Sequence, residues 1–221
     1  MNRKHAMTAA ASVGTGIEIN KVLRNTYMLL GMTLLFSAFT AAVAMAINIG
    51  QMTAMVLSLV AFGLLFAVHK TADSAKGIAF VFAFTGCLGA ALGPMLNYYV
   101  GLANGPALIM QALGGTAVVF FTLSGYVLTT RKDFSFMGGF LMVGLVVALI
   151  ASIALIFFNA PMANLALSAM IVLLMSGFIL FDTSRIIHGG ETNYILATVA
   201  LYLDIYNLFT SLLHLLGAAD D

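Results

Sequence analysis

The sequence predicts an all-α integral membrane protein of seven transmembrane helices, and three observations predict it. Apolar residues make up 62% of the chain and charged residues 8%, where a soluble domain carries about 25% charged residues; mean hydropathy is +1.07. The apolar residues gather into seven helix-length runs. The nine Lys and Arg residues fall only in the N-terminal tail and in every second connection between those runs.

The elements follow in order. Residues 1–24, MNRKHAMTAAASVGTGIEINKVLR, form a polar tail, because no apolar core of about 7 to 15 residues follows the positive start as a secretory signal requires. Residues 25–221 form the membrane domain, with spans at 27–49, 52–68, 77–100, 107–129, 136–158, 163–181 and 194–216. A bilayer core of about 30 Å takes roughly 20 helical residues, and the second span sits at the lower limit.

The connections between spans alternate in charge. Arg3, Lys4, Lys21 and Arg24 lie in the tail, Lys70 and Lys76 in the second connection, Arg131 and Lys132 in the fourth, and Arg185 in the sixth. The odd connections, around Gly50, at 97–106 and at 159–161, carry no Lys or Arg. Cations mark the cytoplasmic side, so the tail is expected inside and Asp220 and Asp221 outside. Tyr27 and Tyr194 at inner ends, with Tyr98 and Tyr99 at an outer end, suit the aromatic belts.

Within the spans, Gly86, Gly89 and Gly93 share one face of the third helix and precede Pro94, while Gly114 and Gly115 open the fourth. Small residues let helix backbones approach closely in lipid. A kink at Gly93–Pro94 that hinges or lines a pore is the alternative reading.

Several functions are excluded. A net charge of +1 provides no footprint for nucleic acid. Cys87 is the only cysteine, so neither an intrachain disulfide nor a thiolate metal cluster can form. The last span has no lysine for a retinal Schiff base, and no GxxxxGKS/T, HExxH or GxSxG motif occurs. No enzymatic activity and no bound cofactor are expected. His5, His69, His188 and His214 are scattered, and the fourteen methionines read as adaptable apolar filler.

The remaining chemistry sits in FDTSRIIHGGETNYILATVALYLDIYNLF. A central carboxylate in a span costs roughly 2.5 to 3.5 kcal/mol on insertion scales, yet Asp204 stands mid-span. It shares a narrow helical face with Ala197, Ala200, Asn207, Ser211 and His214. The nearest other carboxylate by topology is Asp182, at the inner end of the sixth span. Two carboxyls close together in a low-dielectric site cannot both ionise cheaply; they share a proton and respond to pH and to cations. If the turn centres near residue 190, straight helices leave the two about 9 Å apart along the axis. Contact therefore requires a bend at Ser176 and Gly177, or an early end to the sixth helix.

This stretch resembles the C-terminal signature of the Bax-inhibitor (TMBIM) family. KVLRNTY, FAFTGCLGAALGPMLNYY, ALGGTAVVFF and YVLTTRKDFSFMGG are similar to its bacterial, YccA-like branch of FtsH protease modulators. The resemblance covers the chain from about Lys21 onward and implies a bundle whose last helix is enclosed by the other six, in the bacterial inner membrane. It implies a protein that binds and inhibits the membrane-anchored FtsH protease, with the protease's membrane-associated regulators as further partners, engaged through the N-terminal tail. Residues 1–20, small and polar, suit a disordered segment that a protease can grip. The alternative implied function is a pH-gated calcium leak: Asp182 and Asp204 form the proton- and cation-sensing pair and bind Ca2+ as transported or regulatory ion, with Asn207, Ser211 and His214 as supporting polar face. The family's basic latch on the second helix would fall to His69 or Lys70.

Overall fold

The computed structural model describes residues 3–158 and 160–220. Met1 and Asn2 of the tail, Asn159 of the fifth connection and Asp221 at the expected outer end lie outside the described residues. The chain forms α1 (Arg3–Ala46), α2 (Gln51–Thr71), α3 (Ala75–Ala91), α4 (Gly93–Val100), α5 (Gly105–Thr130), a 3-10 turn (Ser135–Met137), α6 (Gly138–Phe157), α7 (Pro161–Ile187) and α8 (Tyr194–Asp220). Seven stretches are long and apolar enough to cross a membrane, α3 and α4 together supplying the third. No strand occurs among the described residues. The chain is an all-α, multi-pass membrane protein.

One expectation needs correction. The tail is expected to be disordered, whereas α1 is helical from Arg3 and continuous with the first span. The physical reason lies in composition: the segment is rich in alanine, the best helix former, and the first proline of the chain is Pro94. A helix nucleated by the span propagates through such sequence at little cost.

The third span breaks where the proline requires it. Pro94 has no N–H for the carbonyl one turn back, so α3 closes with Leu92 N–H bonding to Gly89 O at 3.1 Å. α4 restarts with Leu96 N–H on Leu92 O at 2.9 Å. The glycines before the break serve close packing. A Cβ on Gly86 would lie 2.7 Å from Cε1 of Phe36, one on Gly93 would lie 2.8 Å from the Ala44 Cβ, and one on Gly89 would collide with the Ser37 carbonyl oxygen. All three contacts are to α1, so the stripe is the surface on which α1 and the third span meet.

α8 is the interior helix. Its span is 61% buried, against 11% for the span of α6, and it packs on α1, α2, α3, α5 and α7. α6 packs mainly on α7, so five spans rather than six enclose α8. The side chains that face outward are those lipid accepts: Leu59, Phe62 and Phe66 on α2, Val118 and Phe121 on α5, Val143, Leu149 and Ile156 on α6. Polar groups on α8 find partners inside. The Tyr202 hydroxyl meets Ser37 Oγ at 2.7 Å and donates to Thr85 O at 3.2 Å, tying α8 to both α1 and α3.

The stripe generates a prediction. Gly89→Ala forces a methyl group into a backbone carbonyl, an overpacking that costs roughly 1 to 3 kcal/mol, whereas Gly114 has nothing within 4 Å of an added Cβ. Thermal unfolding in detergent should show a lower midpoint for Gly89→Ala and an unchanged or higher one for Gly114→Ala.

Candidate functional site

The site is built by the turn that joins α7 to α8. α7 ends in a Gly-capped motif: Gly189 adopts φ +75°, Gly189 N–H bonds to Ile186 O at 3.3 Å, and Gly190 N–H bonds to Arg185 O at 2.8 Å. α8 begins at an asparagine cap, where Asn193 Oδ1 accepts from the N–H groups of Ile195 at 2.9 Å and Leu196 at 3.3 Å. The same side chain donates to Asp73 Oδ1 at 2.9 Å, fixing the start of α8 against the α2–α3 connection.

This turn brings Asp182 and Asp204 together. Both residues are buried, at 8% and 5% exposure, and their carboxyl groups lie within interaction range of each other. The sixth span does not end early, because α7 runs from Pro161 to Ile187 without a break. Residues 188–193 are not helical, and the straight-helix estimate had counted them as helix. Asp182 lies five residues before the end of α7, and Asp204 ten after the start of α8. The remaining offset is about 7.5 Å at helical rise. The non-helical residues 188–193 join the two helices, and three residues of chain can span up to about 10 Å, enough to start α8 that much lower than α7 ends.

A hydrogen bond between two carboxyl groups needs a proton on one of them. A proton shared there would remove one of two like charges and link α7 to α8. The outer flank of the pair is sealed: Asp204 Oδ2 is buried without a donor, and Ile179, Leu201 and Leu208 are each 0% exposed. The opposite flank reaches a cation. Arg185 Nη1 stands 3.7 Å from Asp182 Oδ1, and its Nη2 stands 3.6 Å from Glu191 Oε2. Its guanidinium lies over the Phe181 ring, 5.6 Å from the centroid. His69 and Lys70, expected as the latch, are exposed at the end of α2, and a basic group that stands beside Asp182 is Arg185. Its spacing, three residues after Asp182 on one helix, was the signal available in the sequence.

The supporting face divides. Asn207 Nδ2 donates to Leu203 O of its own helix at 2.8 Å, Ser211 is buried, and His214 Nδ1 meets Ser168 Oγ on α7 at 2.8 Å. These residues continue the α7–α8 seam away from the carboxyl pair. Missed by the sequence reading was a run of hydroxyls beside the pair, in which Tyr27 OH bonds to Ser124 Oγ and Ser124 Oγ lies 3.1 Å from Thr183 Oγ1. It joins α1, α5 and α7 next to Asp182.

A resident Ca2+ fits poorly here. It takes about six to eight oxygen ligands, whereas among the described residues no cluster of three or more His, Cys, Asp or Glu forms, and one oxygen of the pair is sealed.

Comparison with known proteins agrees with this architecture. The family model described as "Inhibitor of apoptosis-promoting Bax1" matches residues 19–221. The chain is 54% identical over 204 residues, 92% of each chain, to "Modulator of FtsH protease YccA" of Escherichia coli strain K12. It is 52% identical over 211 residues, 95% of each chain, to an "Uncharacterized membrane protein" of Vibrio cholerae. Against an uncharacterized protein of Pseudomonas aeruginosa the identity is 49% over 202 residues, 91% of each chain. With the match running from the first span through the last, on a bundle of seven spans, the chain belongs to the Bax-inhibitor family.

Proposed function

We propose that this protein modulates a membrane-anchored protease of the FtsH type, slowing its attack on other membrane substrates, and that the protease engages it through the N-terminal segment. The observation that carries the reading is the 54% identity, over 92% of each chain, to a protein named as an FtsH modulator. The form of α1 supports the route of engagement. The segment ahead of the span is small and polar in composition and is joined to the span as one helix from Arg3. With the cation-rich connections on the cytoplasmic side, this segment is presented where an inner-membrane protease of that kind works.

Removal of residues 2–20 is the direct test. The seven spans should still insert, while the truncated protein escapes degradation and no longer slows the protease on its other substrates. A truncated protein that inhibits as well as the intact one overturns the tail-engagement reading, and failure of the intact protein to crosslink to the protease in native membranes overturns the partnership itself.

A second reading is favoured by the buried carboxyl pair: a pH-gated calcium leak along the α7–α8 seam. The bond between Asp182 and Asp204 exists only while a proton is shared. It is therefore present at low pH and lost as pH rises, leaving two like charges that repel and attract a divalent cation. In liposomes, calcium flux through the intact protein should rise between about pH 6 and 8, while Asp182→Asn and Asp204→Asn should each flatten that response. No flux from the intact protein, or an undiminished pH response in both variants, removes the leak.

A further inference from the structure

We propose that the gap between α1 and α5 is a binding site for a hydrocarbon chain, the acyl tail of a membrane lipid, seated against α8. The two helices meet toward their inner ends, where the Tyr27 hydroxyl bonds to Ser124 Oγ and the Tyr27 and Phe120 rings lie 6.0 Å apart. Beyond that point they part: α1 packs on α3, α4, α7 and α8, and α5 on α4, α7 and α8. A cavity of about 430 Å³ lies between them, in the range of about 300 to 1,000 Å³ that takes a small organic ligand.

Its walls show how it is kept open and which way it faces. Ala38, Ala41 and Ala42 line it from α1 and Ala117 from α5, side chains too short to fill the space between the two helices. Tyr202, Ile205 and Phe209 of α8 form a buried back wall. α4, which packs on both α1 and α5, covers the outer end with Leu96. The exposed lining residues are Ala38, Ala42, Leu113, Ala117 and Phe121. All five belong to α1 or α5, so the mouth opens sideways between these helices, into the bilayer.

Three features select a lipid tail. No charged side chain lines the cavity among the described residues. Each hydroxyl in the lining already has a protein partner: Ser37 Oγ meets Tyr202 OH at 2.7 Å, Tyr202 OH donates to Thr85 O at 3.2 Å, Thr116 Oγ1 to Ala112 O at 2.7 Å and Tyr206 OH to Leu88 O at 3.5 Å. The cavity therefore offers a ligand chiefly hydrocarbon surface. Its length is the third feature. The lining runs from Leu34 to Met45 on α1 and from Ile109 to Phe121 on α5, about 16 to 18 Å of helix, close to the roughly 15 Å of hydrocarbon in one leaflet. The blind inner end at Phe120 lies where a lipid tail stops, whereas a partner's transmembrane helix would continue through the other leaflet. An unfilled gap deprives its walls of dispersion contacts, and a flexible tail supplies the contacts that α1 and α5 do not make with each other.

The site needs neither protease modulation nor a calcium leak. The chain has no tryptophan, so a single introduced one reports alone. Phe209→Trp, on the back wall, is placed in vesicles of phosphatidylethanolamine and phosphatidylglycerol, in which phospholipid with dibrominated acyl chains, a contact quencher of tryptophan, replaces the unlabelled lipid stepwise. Its fluorescence should fall nearly as far as that of Phe62→Trp, at an exposed position on α2. Phe84→Trp, likewise buried but outside the cavity, should keep its emission. Adding Ala117→Phe, which fills the mouth, should restore the emission of Phe209→Trp. Emission from Phe209→Trp that stays as bright as that of Phe84→Trp overturns the lipid site and leaves the gap to a partner protein's side chain or to no occupant. Quenching that Ala117→Phe leaves unchanged overturns it as well. Should Phe209→Trp fail to fold, Ile205→Trp on the same wall decides in its place.

Discussion

A carboxyl group at mid-span must be kept from carrying a lone charge, and the architecture answers to that constraint. Asp204 cannot face lipid, where an ionised side chain is costly, so the helix that bears it goes inside, which is why α8 is the most enclosed span. Inside, it needs a partner, and the Asp182 carboxyl on α7 lies within interaction range of it. The turn between the two helices is shaped accordingly. A glycine at φ +75° ends α7, Asn193 caps α8, and the non-helical residues between them let α8 start lower than α7 ends.

The remaining packing secures that central helix. Tyr202 reaches from α8 to Ser37 on α1 and to the Thr85 carbonyl on α3, and those two helices can flank it closely because Gly86, Gly89 and Gly93 let their backbones meet. In lipid the hydrophobic effect does not drive helices together; close contact and satisfied polar groups must. The cation Arg185 stands at the edge of the pair, 37% exposed at its side chain. Water therefore screens one flank of the pair, while buried aliphatic side chains close the other.

Much of this was legible from residues alone, for physical reasons. Hydropathy and the alternation of Lys and Arg marked seven spans because lipid imposes both. Pro94 marked the break in the third span because a missing N–H has to end a helix turn. Asp204 stood out because its cost in a bilayer is large. The Asp182–Asp204 contact was a harder matter. Its feasibility depends on six residues, 188–193, that are not helical, and counting them at helical rise made the contact look strained. The Arg185 contact with Asp182 was open to sequence reasoning, since the two stand three residues apart on one helix. Alanine content was weighed too lightly in the N-terminal segment, where a helix continues from the first span. The contacts of His188 with the Ser184 and Arg131 carbonyls have no sequence signature, since backbone carbonyls do not show in side-chain pattern.

The shared proton is the claim on which the rest turns, and infrared difference spectroscopy of the protein in lipid measures it directly. The intact protein should show the C=O stretch of a protonated carboxylic acid near neutral pH, shifted on deuterium exchange, and the band should be changed by both Asp204→Asn and Asp182→Asn because the two groups hold one proton between them. Absence of a protonated-carboxyl band near neutral pH, or a band that both substitutions leave untouched, would contradict the account.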